Sequence, residues 1–201
     1  MVRGEYKTDK AKHIVDSYDT QSPSWGATHR NAWKAIAERP YLAGCFVWTG
    51  FDYRGEPTPY AWPTASSNFG IMDLCGFPKT AFYIHQAQWY EGKNTIHIAP
   101  HWNWPADSIG KPIKVMVISN AETVKLLLNG KLIGEQKADK YEMNSWEVPY
   151  QYGKLEAIGY KNGKEVSRYK VETTGAPVSI QLIPDRASMF GDGLDAMPIT
   201  V

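Results

Sequence analysis

Leu42-Ala43-Gly44-Cys45-Phe46-Val47-Trp48-Thr49-Gly50-Phe51-Asp52-Tyr53-Arg54-Gly55-Glu56-Pro57-Thr58-Pro59 decides how the first half of this 201-residue chain is read. Residues Leu42 to Trp48 form an apolar run of strand length, which predicts a buried strand with Cys45 as a buried thiol. Thr49-Gly50 ends the run, and an aromatic and acidic loop follows. A parallel strand that delivers a site at its C-terminal end has this form. Trp48, Phe51 and Tyr53 offer flat apolar faces, whereas Asp52, Arg54 and Glu56 offer hydrogen-bonding heads. Sugars need that mixture, because a pyranose has apolar C–H faces and a rim of hydroxyls. The same residues also read as a buried strand followed by a loop ordered by internal ion pairs, since aromatic residues pack cores more often than they bind ligands.

Helical patterns flank this stretch. Thr28 to Arg39 is predicted as a helix, with Thr28 as N-cap, Ala32, Ala35 and Ile36 on one face, and Trp33 beside them. Pro40 stops it. Downstream, Tyr60 to Cys75 reads as a long loop. Pro78 to Trp89 reads as a second helix with Pro78 near its start, Ala81, Phe82, Ile84, His85 and Trp89 mostly on one side, and Gly92 beyond its end. Helix, short turn, buried strand and helix together make an α/β pattern. Ile96, Ile98 and the cluster Trp102-Asn103-Trp104 lead into Pro105, which is taken as a domain boundary.

From Ile113 the apolar period becomes two. Ile113, Val115 and Val117 share one face, and so do Val124, Leu126 and Leu128. Asn129-Gly130 signals a type I′ hairpin into Lys131 to Gln136. Ser145 to Val148 is a short strand. Leu155 to Tyr160 and Glu165 to Glu172 flank a second Asn-Gly turn at Asn162-Gly163. Repeated short strands with turn signals predict an immunoglobulin-like β-sandwich over 105–175. Gly175-Ala176-Pro177 reads as a linker, and Val178 to Ile183 as the first strand of a further, incomplete sandwich over 176–201.

Net charge is +1, from 22 basic and 21 acidic residues, which argues against nucleic acid or an anionic membrane as the main partner. Eight Trp and twelve Tyr suit carbohydrate contact and core packing alike. Two cysteines support no disulfide framework. No apolar run reaches membrane-spanning length. The chain has neither a Gly-rich phosphate loop nor a nucleophile elbow, so no cofactor is expected.

Gly44 to Tyr60, with Ser66-Ser67-Asn68-Phe69-Gly70-Ile71-Met72-Asp73, Phe77-Pro78-Lys79 and Pro100-His101-Trp102-Asn103-Trp104, resembles the end of the catalytic barrel in glycoside hydrolase family 2, the β-galactosidase family. The likeness covers most of the first hundred residues, with several motifs in one order. It implies that 1–104 is the C-terminal part of a (β/α)8 barrel, holding the seventh helix, the eighth strand and the eighth helix, and that the enzyme is a retaining glycosidase. Arg3-Gly4-Glu5-Tyr6 resembles the segment just after the family's nucleophile. The resemblance therefore places both catalytic glutamates upstream of Met1, so the catalytic set of this chain is empty and the isolated chain is expected to be inactive. A periplasmic or secreted parent is expected, with any export signal outside these residues. By the same resemblance Trp48 and Asp52 are the substrate-binding candidates, Trp48 as the floor of the sugar site.

A retaining mechanism needs two carboxylates about 5 Å apart. Asp52 and Glu56 are the local pair that could meet this need, but loop-ordering hydrogen bonds or contact with sugar hydroxyls suit them better. His97 and His101 have metal-like spacing without a converging Cys or carboxylate, and no metal is expected. His29 and His85 read as surface or packing histidines. A parallel strand without barrel neighbours has open edges, so order in the first hundred residues is expected to come from packing on the sandwich, from self-association or from a larger assembly. The alternative from another class is a non-catalytic carbohydrate-binding or structural sandwich module.

Overall fold

Two Asn-Gly pairs set the register of the larger sheet. Asn129 and Gly130 have φ of 51° and 80°, and Asn162 and Gly163 have 49° and 72°. Positive φ at both central residues is the type I′ turn, whose twist matches that of the flanking strands. The computed structural model describes residues 8–201, with strands β1 (Ile96–Ala99), β2 (Pro112–Ser119), β3 (Thr123–Leu128), β4 (Lys131–Lys137), β5 (Asn144–Pro149), β6 (Lys154–Lys161), β7 (Lys164–Glu172), β8 (Ile183–Pro184) and β9 (Ile199–Thr200). One sheet has the order β1-β2-β5 and another β4-β3-β6-β7, all antiparallel. The turns close Leu128 on Lys131 and Lys161 on Lys164.

The two sheets enclose one core. Ile96, Ile98, Ile113, Val115, Val117 and Val148 come from the smaller sheet, and Val124, Leu126, Leu128, Leu155 and Ala157 from the larger. The period-two pattern produces this, because alternate side chains on a strand reach one face. Trp102 and Trp104 belong to the same core. The Trp102 indole donates to the Gln151 carbonyl (3.0 Å), Tyr150 Oη accepts from the Trp104 amide (3.1 Å), and Thr173 Oγ1 donates to the Trp102 carbonyl (2.8 Å). The aromatic cluster therefore closes one end of the sandwich rather than leading into it. The sheet begins at Ile96, nine residues before the expected boundary, because β1 supplies the third strand.

β2 is buried on both faces. Met116 and Ile118, opposite the core-facing residues, are covered because helix α2 (Thr80–Trp89) packs on β1 and β2 from outside. Helix α1 (His29–Ala37) packs in turn on α2. Thr28 caps α1 as expected, accepting from the Asn31 amide. Asp19 adds a second cap, accepting from the His29 amide (2.6 Å) and the Arg30 amide (3.1 Å). Arg30 pairs with Asp19 (3.0 Å) and with Glu142 beside β5, which ties the helical region to the sandwich. Trp33 and Trp89 meet edge to face across the helix pair.

Leu42 to Trp48 does not form the expected strand. No ladder bonds join Ala43 to Trp48 among the described residues, and Cys45 is exposed, not buried. Leu42, Phe46 and Trp48 are exposed as well. A parallel strand takes its hydrogen bonds from neighbours on either side, and no strand precedes Ile96 among the described residues. Pairing starts only where the run ends. Thr49 and Gly50 carbonyls accept from the Ile71 and Met72 amides (2.9 and 3.0 Å), and Phe51 bridges Met72 in parallel fashion. The barrel part of the expected fold class is thus not seen among the described residues, whose regular structure is mostly β. The strand expected over Val178 to Ile183 contracts to β8, which pairs with β9, while Val178, Ile180 and Leu182 lie exposed. The Arg3-Gly4-Glu5-Tyr6 reading lies outside the described residues.

Candidate functional site

The loop after Trp48 is held by its own polar residues. Asp52 Oδ1 accepts from the Gly70 amide (2.8 Å), and Oδ2 accepts from Lys79 Nζ (2.6 Å). Lys79 Nζ also donates to the Asn68 carbonyl (3.0 Å). The Asp52 side chain is only 8% exposed and Lys79 21%, so each is largely desolvated and each neutralises the other. Gly70 has no alternative here: a Cβ would lie 2.3 Å from the Asp52 amide nitrogen and 2.6 Å from the Met72 carbonyl oxygen.

Tyr53 is fixed next to this pair. Its amide donates to Ser67 Oγ (3.0 Å), and its carbonyl accepts from the Ser67 amide (2.8 Å). Its ring meets Phe69 edge to face at 5.9 Å. Its hydroxyl donates to Glu56 and accepts from Trp48 Nε1 (3.2 Å). The bond to Glu56 leads in pushing the Tyr53 hydroxyl above its ordinary pKa. Trp48 stays 74% exposed, with its ring edge to face with Tyr53 at 6.1 Å. The Trp48–Thr49 peptide bond is cis.

The two sequence candidates thus differ. Trp48 presents an open aromatic face. Asp52 has both oxygens engaged by the fold and serves as the tie between the loop, Gly70 and α2. Asp52 and Glu56 are held by separate partners, Lys79 with Gly70 for the first and Tyr53 for the second. Lys79, Ser67 and Gly70 carry the geometry, yet residue types alone did not single them out. Their signal lay in the Ser66–Asp73 and Phe77–Lys79 blocks, which mattered only as motifs.

The histidines have separate surroundings. His97 stacks on Tyr83 of α2 at 3.6 Å and 7°, and burial pushes it down to about 4. His101 stacks on Trp104 instead, so the pair does not share a centre. No group of three or more His, Cys, Asp or Glu residues could hold a metal among the described residues. His85 is buried, and its Nε2 is bonded to His29 Nδ1 (2.9 Å); burial first, and His29 second, push it down to about 4. Both are packing histidines of the α1–α2 joint.

Comparison with known proteins places these features. Residues 110–167 match a domain of unknown function, DUF4982. The β-galactosidase BoGH2A of Bacteroides ovatus is 40% identical over 187 residues, covering 92% of this chain and 22% of that protein. A putative β-glucuronidase of Formosa agariphila is 37% identical over 197 residues, covering 96% of this chain and 19% of that protein. The crystal structure of a β-glycosidase from Bacteroides vulgatus superposes with a TM-score of 0.80 at 34% identity, covering 91% of this chain and 23% of that one. The chain spans about a fifth of the length of the curated relatives it matches. The likeness runs through the Trp48 loop and the sandwich alike, and the chain belongs to glycoside hydrolase family 2.

Proposed function

We propose that this chain is part of a retaining β-galactosidase that hydrolyses terminal β-glycosidic bonds of oligosaccharides or glycans. Residues up to about 95 are the closing part of its (β/α)8 barrel. The sandwich beside it is immunoglobulin-like. Its seven strands put the first, second and fifth in one sheet and the third, sixth and seventh in the other, with the fourth strand moved next to the third. Residues 176–201 begin a further domain of that kind, as the alternation of Val178, Ile180 and Leu182 suggests.

Trp48 supplies the apolar face under the reacting sugar. Asp52 orders the wall around it through Lys79 and Gly70, in place of the sugar contact expected of it. The chemistry is a double displacement by two carboxylates about 5–5.5 Å apart, one as nucleophile and one as acid/base, and neither lies in these 201 residues. The single observation that carries the galactoside reading is the 40% identity to the Bacteroides ovatus β-galactosidase. The relation to a putative β-glucuronidase makes glucuronide the substrate to test against.

The test compares the intact enzyme with the isolated 201-residue chain on aryl β-galactoside and aryl β-glucuronide. The intact enzyme should release galactose with retained configuration and prefer the galactoside, while the isolated chain should stay at background. Preference for the glucuronide would overturn the substrate. Turnover by the isolated chain that vanishes in Asp52→Asn or Glu56→Gln would relocate the carboxylates.

A further inference from the structure

We propose that Tyr53, itself held by Glu56, is the residue that sets the orientation of the Trp48 indole at the sugar site. The inference rests on the reading of Trp48 as the sugar-facing residue and adds two positioning residues to it. An indole that is three-quarters exposed has little packing to hold it. Among the described residues, both its N–H bond and its ring contact go to Tyr53.

The hydrogen-bond chain can run in only one direction. The indole N–H is a donor only, and an ionised carboxylate is an acceptor only. The Tyr53 hydroxyl sits between them, so its hydrogen points to Glu56 and its lone pair to the indole. Glu56 thus fixes the direction in which Tyr53 accepts. Tyr53 is a firm post in its own right, with its backbone bonded both ways to the buried Ser67 and its ring against Phe69. Ser67 and Phe69 belong to the segment that Asp52 and Lys79 tie down. The order of Trp48 therefore extends back to the buried ion pair through Tyr53. A flat face under a sugar contributes by holding the ring in a reactive geometry, and small misplacements there are costly.

Two readouts test this in parallel. In the 15N-labelled chain, Trp48→Phe assigns the Trp48 indole resonance by its loss. Tyr53→Phe keeps both ring contacts and removes the acceptor. It should move the Trp48 resonance upfield and speed its exchange with solvent, leaving the remaining indole signals in place. In the intact enzyme the same variant should lower kcat about tenfold, the size expected for one lost hydrogen bond, with KM changing far less. Glu56→Ala should approach the Tyr53→Phe level. Glu56→Gln should recover part of the loss, because its carbonyl oxygen still accepts.

An unmoved indole signal in Tyr53→Phe overturns the proposal. A moved signal with unchanged kcat, where Trp48→Phe does lose turnover, overturns it too. If Trp48→Phe keeps full turnover, it is the sugar-contact reading that fails. The indole signal then still decides whether Tyr53 holds Trp48.

Discussion

The sandwich and the segment before it reach order in different ways. Each strand of the larger sheet finds a partner close by in sequence, through two-residue turns at Asn129-Gly130 and Asn162-Gly163. The smaller sheet forms across longer connections but shares the same core. Leu42 to Trp48 is as apolar as any of these strands and forms none. Apolar runs specify what a strand would bury, but the ladder itself must come from a neighbour. In the sandwich those neighbours lie within about forty residues. Before Ile96, the described residues offer only short, isolated pairings, such as 49–52 with 71–72, 53–55 with 65–67 and Asp9 with Ile14. What order the first segment has comes from helix capping, from the Asp52–Lys79 tie, and from α2 lying on β1 and β2.

The largest expected effect breaks the self-sufficient half. Trp102 is 1% exposed and joins the β1 connection to Tyr150, Gln151 and Thr173. Trp102→Ala removes a large buried ring and leaves the Gln151 carbonyl without its indole donor. A loss of about 3–5 kcal/mol is expected in urea unfolding of the chain. Trp48→Ala, a change of the same size at an exposed site, should fall within about 0.5 kcal/mol of the parent. Equal losses at the two sites would remove the contrast between the halves.

The joint between the regions should respond to pH. His97 on β1 stacks on Tyr83 of α2, and Tyr169 of β7 lies close to the same ring. His85 faces His29, whose charged neighbours are Asp19 and Arg30. Burial lowers His97 and His85 to about 4 from an ordinary value near 6.5. The unfolded chain therefore binds more protons than the folded one between those values. Stability is full above pH 6.5 and falls as pH drops toward 4, where the loss levels off. For His97 the loss is roughly 3 kcal/mol at its limit. Urea midpoints at pH 7.5 and 4.5 check the sign, and His97→Phe, which keeps the stack without a proton, should flatten part of the slope. A midpoint that rises on acidification would refute the linkage.

How far the fold could be read ahead follows the same division. Thr28 as N-cap, both helices, both hairpins and the core faces of β2 and β3 are local or periodic features, and the chain displays them directly. Burial is not local. Cys45 looked buried because its run is apolar, yet no neighbouring strand covers the run among the described residues, and Cys45 lies exposed. Met116 and Ile118 sat on the nominally outer face of β2, and only the docking of α2 buries them. Trp102 and Trp104 read as a domain exit, because their partners Tyr150 and Thr173 lie about fifty to seventy residues further on. In the site, Trp48 was visible as an aromatic at the end of an apolar run. The tie from Asp52 to Lys79 spans twenty-seven residues, and no spacing rule connects them.

The smallest expected effect compares the two hairpins, which look identical in sequence. Both asparagines have φ near 50°, where an L side chain is strained and glycine is not. On backbone grounds alone, Asn→Gly should be nearly neutral in each. The structure separates them. Asn162 uses only its backbone amide, bonded to Glu122 at 2.8 Å, which glycine retains. Asn129 uses its side chain, accepting from the Lys154 amide at 2.8 Å and donating to the Tyr152 carbonyl at 3.0 Å. That side chain also fills the space beside Gly153, where a Cβ would meet Asn129 Oδ1 at 1.9 Å. Asn162→Gly should therefore change stability by less than about 0.5 kcal/mol. Asn129→Gly should lose about 1–2 kcal/mol for two side-chain bonds, net of the gain from glycine at positive φ. Urea unfolding measures the difference, and amide exchange at Lys154 locates it, since that N–H alone should lose protection early in Asn129→Gly. Equal losses at the two turns would mean that the Asn129 bridge to β6 adds nothing beyond what the turn itself contributes.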